Sequence, residues 1–323
     1  MPVNKILNNF KYLKTGIWYF LAKRDPLLTV MIGLTYNCHC DCPHCAMAIY
    51  EKNREKELST SEWLEVISRF PKNKVRRVYF FGGEPLLKPD IFELIGQARK
   101  KGLRTAFDTN GYLLTKEIAE KLKKAGLNLI GVSIDSSDPE THNRLRGIGN
   151  LFKKATEGIK YCLKEGIRCC LSTYATKEKI ESGELQRIIS LGKMLGVTYV
   201  RILSPISTGR WLEEENKKLN FQERKLLNDL RKFGFVHLEE DFCLSMNKRL
   251  VYISPYGEVQ PCWSMPFNFG NIKKTPLEEI LKRMWNHSIF KVSGKICPMN
   301  NEEFRRKYLG NVKTGQKFPV SLV

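Results

Sequence analysis

The chain has 323 residues, 42% hydrophobic and 27% charged, proportions ordinary for a globular protein with room for one large domain and a smaller one. Its 54 Lys and Arg against 34 Asp and Glu give a net charge of +20, which favours anionic partners (nucleic acid, acidic lipid headgroups, a phosphorylated substrate) or else marks a solvated, lysine-rich surface. No stretch reaches the roughly 18 apolar residues of a spanning helix. The ten cysteines form no repeated secreted framework, and Met1-Pro2-Val3-Asn4-Lys5 lacks a secretory signal, so a reducing, cytoplasmic setting is expected.

Residues 5–24 place Ile6, Phe10, Leu13, Ile17, Phe20 and Leu21 at helical spacing, with Lys5, Lys11, Lys14, Lys23 and Arg24 as a basic complement and Trp18 and Tyr19 as amphipathic aromatics. This N-terminal amphipathic helix, residues 1–25, is expected either to pack on the next domain as a core or lid element or to lie on an anionic membrane surface, which would make the protein peripheral there. Residues 28–34 then form a buried-strand run leading into a cysteine loop. Ser59-Thr60-Ser61-Glu62 is a capping box opening a helix to about residue 70. Strands are expected at 75–81, 105–109, 129–135, 168–174 and 197–203, and helices at 90–101, 116–125, 151–165 and 184–195. Six β-then-α units imply parallel strands with right-handed crossovers, closer to an open or partial barrel than to a complete eight-fold one. After a polar helix at 221–233 the pattern changes. Residues 249–254 and 259–263 read as a hairpin around Pro255-Tyr256-Gly257-Glu258, followed by a short helix at 276–285. This is a small α+β hairpin-helix module, and the stretch beyond about 309 reads as a loose basic tail.

Cys38, Cys40, Cys42 and Cys45 fall within eight residues. Structural zinc usually takes two separated pairs of ligands, so four donors on one tight loop suit it poorly. Three thiolates spaced Cys38-x3-Cys42-x2-Cys45 can instead grip three corners of an iron–sulfur cube and leave one iron without a protein ligand. In parallel α/β architectures the ligand site lies at the carboxyl ends of the strands, where every informative motif here falls. Gly82-Gly83-Glu84-Pro85 follows the second strand, with two glycines for close approach of a ligand to the backbone and Glu84 as an anion for an ammonium group. Asp108, Thr109 and Asn110 end the third strand, and Ser133 and Asp135 the fourth.

In this register the motifs resemble the radical S-adenosylmethionine (radical SAM) superfamily over residues 26–205. The resemblance implies a partial (β/α)6 TIM-like barrel with a [4Fe-4S] cluster on Cys38, Cys42 and Cys45. S-adenosylmethionine (SAM) would chelate the fourth iron through its amino and carboxylate groups. One electron, from a reductase, ferredoxin or flavodoxin-type donor, would cleave SAM to methionine and a 5′-deoxyadenosyl radical that abstracts hydrogen from substrate. By position, Gly82, Gly83, Glu84 and Pro85 resemble the element that binds the methionyl amine. Asp108 and Asn110 sit where ribose contacts are expected, Ser133 with Arg144 or Arg146 resembles the carboxylate-binding pair, and His44 takes the usually aromatic position whose backbone approaches adenine.

Cys243, Gly257-x4-Cys262 and Cys297, with Phe269-Gly270-Asn271-Ile272, resemble the auxiliary-cluster domains called SPASM and twitch. The implied division is residues 1–25, a radical SAM core at 26–235, an auxiliary module at 236–309 and a tail at 310–323. Cys297-Pro298-Met299-Asn300 departs from the family's Cys-x2-Cys, so a second [4Fe-4S] cluster has three cysteines, leaving one iron for substrate, water or a ligand such as Asn300. The alternative is three unligated core thiols. Cys40 is surplus and Cys162 reads as core. Of Cys169 and Cys170 one points into the barrel, as packing or as a hydrogen donor.

The enzyme reading favours an amphiphilic or anionic substrate. A peptide- or protein-modifying maturase is the alternative within the family. A non-catalytic iron–sulfur or zinc protein binding nucleic acid is disfavoured, because the strands end in SAM-type contacts rather than base-stacking aromatics.

Overall fold

The computed structural model describes residues 28–214, 217–239, 243–291, 297–310 and 316–322. The expected N-terminal amphipathic helix lies outside them. Strand and helix alternate from the start: β1 (Leu28–Gly33), α1 (Thr60–Arg69), β2 (Val75–Phe81), α2 (Ile91–Lys100), β3 (Arg104–Thr109), α3 (Lys116–Ala125), β4 (Leu129–Ser133), α4 (Pro139–Arg146), α5 (Leu151–Lys164), β5 (Arg168–Tyr174), α6 (Lys177–Glu181), α7 (Glu184–Leu195) and β6 (Tyr199–Leu203). The capping box of α1 forms as expected. Ser59 Oγ accepts the Glu62 N–H at 3.3 Å, and the Glu62 carboxylate accepts the Ser59 N–H at 2.7 Å. Three α-helices were not expected, Pro139–Arg146, Lys177–Glu181 and Glu302–Leu309, and the first borders the site. α4 starts with Pro139 behind an Asp138 side-chain cap and ends at Gly147, whose φ of 69° only glycine adopts without strain.

β1 to β6 pair in sequence order, all parallel. The sheet is open among the described residues and runs further than six strands. β7 (Val236–Leu238), which the sequence reading missed, adds parallel to β6. At the other edge β8 (Leu250–Ile253) adds parallel to β1 and carries β9 (Val259–Gln260) antiparallel beside it. The hairpin expected as part of a separate module therefore extends the barrel sheet and brings its cysteine-bearing end alongside the first loop's strand. α8 (Phe221–Asp229), α9 (Leu277–Asn286) and α10 (Glu302–Leu309) complete the helices. The expected loose tail is corrected in part: β11 (Val320–Ser321) returns to pair parallel with β10 (Phe267–Asn268), Val320 N–H donating to Pro266 O at 2.8 Å. No described helix is long and apolar enough to cross a membrane.

Alternation along the strands divides the barrel. Val78 and Phe80 of β2 are fully buried in the main apolar core, as are Ile130 and Val132 of β4 and Val200 and Ile202 of β6. The intervening positions carry polar groups, Tyr79, Asp108, Ser172 and Arg201, which bond one another across the strands.

Candidate active site

The cysteine loop leaves β1 and is fastened at both ends. At its start, Gly83 N–H donates to Thr35 O at 2.6 Å and Glu84 N–H to Asn37 O at 2.9 Å. A Cβ on Gly83 would stand 2.1 Å from Asn37 O, and one on Gly82 (φ 135°) 2.3 Å from Thr35 O. The glycines thus admit the loop's own backbone, where the sequence had suggested the approach of a ligand. At its end, Arg210 donates from Nη1 to Cys42 O at 2.9 Å, pairs with Asp41, and donates its N–H to Cys45 O at 3.1 Å. Sequence reasoning missed Arg210. It follows β6, whose end, like that of β5, carries no motif that marks a site.

The loop, the Gly82-Gly83 turn and the ends of β3, β4 and β5 enclose a cavity of about 150 Å³ lined by Cys38, Cys40, Cys42, Cys45, Asn110 and Arg146, with Asp108, Ser133 and His44 also in its wall. All ten cysteines are free thiols. Cys38 Sγ receives the Cys40 N–H at 3.4 Å and Asn110 Nδ2 at 3.7 Å, and Cys42 Sγ receives Arg146 Nη1 at 3.6 Å. The Cys40 thiol bonds its two neighbours, which lowers Cys38 and brings Cys42 down to about 7 despite burial, while Cys40 itself is pushed far up by the same contacts. Burial raises Cys45. Among the described residues no three His, Cys, Asp or Glu side chains gather as a single ion needs; a cube takes its thiolates at separate corners.

Beside the thiols lies a buried charge cluster. Asp135 Oδ2 faces Arg146 Nε at 2.6 Å and His44 Nε2 at 3.4 Å, and its Oδ1 faces Lys179 Nζ at 3.7 Å. Burial pushes the Asp135 carboxyl up, and Arg146, His44 and Lys179 outweigh it, leaving it well below the carboxylate range. Burial brings His44 down to about 4, so the ring is neutral, set 4.8 Å from Tyr174 and 5.8 Å from Trp211. Arg144, offered with Arg146 as a carboxylate binder, lies two residues earlier on α4, where it turns to solvent and bonds Thr141.

Glu84 and Pro85, expected in the element that binds the methionyl amine, are both buried outside the cavity wall. Glu84 is fully buried, and its carboxylate accepts from Thr109 Oγ1 at 2.8 Å, Asn110 N at 2.8 Å and Leu86 N at 3.1 Å. Burial pushes it up to about 7 against those donors. It is a strut between the ends of β2 and β3, with three of its lone pairs engaged by the chain itself. Asp108 reaches the cavity, but its Oδ1 accepts from Tyr79 at 2.8 Å and Arg201 at 2.6 Å; a Cβ at Gly131 of β4 would stand 2.0 Å from that oxygen, so the glycine makes the room. The period-two pattern of the strands could have revealed this network.

The other three cysteines also converge. Ser245 Oγ donates to Pro261 O at 2.7 Å, which holds the Cys243 segment against Cys262. Cys297 stands among them: burial and the Cys262 and Cys243 thiols push it up, while burial lifts Cys262 to about 11. Met246 N–H reaches Cys243 Sγ at 3.5 Å and Ser264 N–H reaches Cys262 Sγ at 3.4 Å. Asn300 does not turn toward them. Its Oδ1 accepts from Ser207 N and its Nδ2 donates to Pro205 O, each at 2.9 Å.

The radical SAM superfamily model matches residues 32–186, and that of the SPASM iron-sulfur cluster-binding domain matches residues 243–298. The chain belongs to the radical SAM superfamily. It is an enzyme of that class with a C-terminal SPASM module, and it takes a [4Fe-4S] cluster with SAM and an auxiliary iron–sulfur cluster. An AdoMet-dependent heme synthase of Nitratidesulfovibrio vulgaris is 28% identical over 285 residues, 77% of this chain and 77% of its own. An Fe-coproporphyrin III synthase of Methanosarcina barkeri is 30% identical over 220 residues, 68% of this chain and 54% of that one. Streptococcus suis SuiB bound to S-adenosylmethionine has the same fold, with a TM-score of 0.65 at 16% identity over 88% of this chain and 72% of that one.

Both thiol sets of this radical SAM chain fit clusters on their own chemistry. Each gathers three or more unbridged thiols, and the sulfurs receive N–H donors that suit a thiolate.

Proposed function

We propose that Cys38, Cys42 and Cys45 hold the SAM-binding cluster, that Gly82, Gly83, Asn110, Ser133 and Arg146 bind SAM, and that Cys243, Cys262 and Cys297 hold the auxiliary cluster. The observation that supports the first two assignments is the convergence of all these groups on one cavity wall. When bound, the cluster and SAM supply one-electron reductive chemistry ending in hydrogen abstraction. The chain's own residues orient and enclose. Arg146, locked by Asp135, presents a guanidinium for the SAM carboxylate beside Ser133, and the backbone of the Gly82-Gly83 turn borders the same space. His44, Tyr174 and Trp211 pack on one another, the first two in the cavity wall, and this aromatic group limits water near a reactive intermediate.

The substrate we infer is an iron porphyrin bearing carboxylates, of the Fe-coproporphyrin class. The match to curated heme synthases across most of both chains supports this reading, as does the net charge of +20. A second cavity of about 1050 Å³ shares His44, Asp135, Tyr174 and Arg210 with the first and gives room for a large flat ligand, its walls carrying Lys179, Arg187 and Lys217 along with acidic partners. The basic surface also suits an acidic electron carrier of the ferredoxin or flavodoxin type. The test is anaerobic incubation of the reconstituted protein with SAM, a reductant and Fe-coproporphyrin III. Porphyrin-dependent 5′-deoxyadenosine and a porphyrin of changed mass are expected. SAM cleavage with the porphyrin unchanged would sink the substrate while leaving the enzyme class intact.

A further inference from the structure

The auxiliary site has three cysteines for a cube with four irons, and a fourth donor stands among them. Cys262-Trp263-Ser264-Met265 makes a tight turn closed by Met265 N–H to Cys262 O at 3.2 Å. The turn folds the Ser264 side chain back, so that Oγ lies 2.9 Å from Cys262 Sγ, and the same hydroxyl is near enough to Cys297 to lower its thiol against burial. Ser264 is only 2% exposed. Among the described residues, Ser245 is committed to Pro261 O, and Asn300 to Pro205 and Ser207. The Ser264 hydroxyl is the one among these three aimed at sulfur.

We propose that Ser264 Oγ is the fourth protein ligand of the auxiliary cluster, giving a three-cysteine, one-serine site with no iron open to substrate. The inference rests on the assignment of Cys243, Cys262 and Cys297 to that cluster. Ligation breaks the Oγ–H bond and forms an Oγ–Fe bond; the proton leaves to solvent, as the three thiol protons do, and no electron is transferred. A serine ligand sets the role of this cluster. It is electron transfer or structural support, because a fully ligated cube offers substrate no coordination position.

The test uses full-length protein carrying Cys38→Ala, Cys42→Ala and Cys45→Ala, so that only the auxiliary cluster is reconstituted. Iron is counted, and electron paramagnetic resonance of the reduced cluster is recorded with and without 15N-labelled imidazole. The parent is expected to hold about four irons and to show no coupling to the imidazole nitrogen. Ser264→Ala should keep the irons and acquire that coupling at its bared iron. Ser264→Cys should keep them, show no coupling and shift its g values. Loss of iron in Ser264→Ala with retention in Ser264→Cys supports the same ligation. Nitrogen coupling in the parent overturns it, as do an unshifted, uncoupled spectrum in Ser264→Ala and loss of iron in both variants. Adding Cys262→Ala to the same parent separates the two levels: iron retained there sinks the auxiliary-site assignment itself.

Discussion

Asp135 and Arg146 face each other across 2.6 Å in the cavity wall, the carboxylate fully buried and the guanidinium 9% exposed. The first residue lies two positions beyond β4 and the second ends α4, so the pair fixes where the helix stops against the sheet. Two charges this far from water persist because each neutralises the other, and removing one leaves the partner stranded. Asp135→Asn is therefore expected to cost about 3–5 kcal/mol of stability. It should also weaken SAM binding about tenfold or more, because Arg146 and Lys179 lose the group that aims them. Denaturant unfolding and equilibrium SAM binding on reconstituted protein measure the two effects. Wild-type SAM affinity in Asp135→Asn would remove Arg146 from the SAM site.

His142 supplies a pH dependence of definite sign. It is fully buried, its Nδ1 accepts the Asp135 N–H at 3.1 Å, and burial with Arg146 nearby brings it down to about 4. Its folded pKa lies below the unfolded value, so the stability it contributes is complete above about pH 6.5 and is lost as pH falls toward 4. The loss amounts to about 2–3 kcal/mol across that window. His142→Asn keeps an acceptor for the Asp135 N–H and should flatten this part of the profile. Denaturation midpoints at pH 7.5, 6.5 and 5.5 compare the two proteins, and parallel profiles would mean that other groups carry the acid lability.

Two glycines predict opposite outcomes for one substitution. A Cβ at Gly83 meets backbone atoms of Asn37 at 2.1 and 2.6 Å, and backbone cannot step aside. Gly83→Ala should push the loop off the turn, with a cost of about 2 kcal/mol or more and loss of iron at the first site. Gly96 lies inside α2, and a Cβ there meets nothing within 4 Å. Gly96→Ala should stabilise by about 0.5–1 kcal/mol with iron content unchanged. Thermal unfolding and iron analysis of both variants check the contrast.

What could be read in advance follows the range of the interactions. The strands announced themselves because each is a short apolar run between turn residues, and the cysteine loop because its thiols are seven residues apart at most. α4 was invisible for a local reason. In Pro139-Glu140-Thr141-His142-Asn143-Arg144-Leu145-Arg146 a single large apolar residue leaves no period to detect, and the buried face consists of His142 and Arg146. β7 and β11, of three and two residues, exist only through partners far along the chain. Glu84 shows the same limit at the level of one side chain. Its motif marked the right turn, but the direction of the carboxylate was decided by Thr109 and Asn110, 25 and 26 residues away.

Cys40 is the remaining thiol of the loop, and its geometry sharpens what its substitution should do. It stands between Cys38 and Cys42, its N–H on Cys38 Sγ and its thiol beside both, and these contacts keep its own proton in place while easing theirs. With one S–H the Cys40 thiol donates to one neighbour at a time, so it is a hydrogen-bond donor in the loop, and the three-corner spacing leaves it no iron to hold. Cys40→Ser retains a donor and should reconstitute with unchanged iron and sulfide. Cys40→Ala removes the donor and should also hold its iron, with slower reconstitution because Cys38 and Cys42 deprotonate less readily. Cys42→Ala should lose the first site's iron altogether. Iron loss in Cys40→Ser equal to that in Cys42→Ala would make Cys40 a ligand and overturn the assignment of Cys38, Cys42 and Cys45 as the three corners.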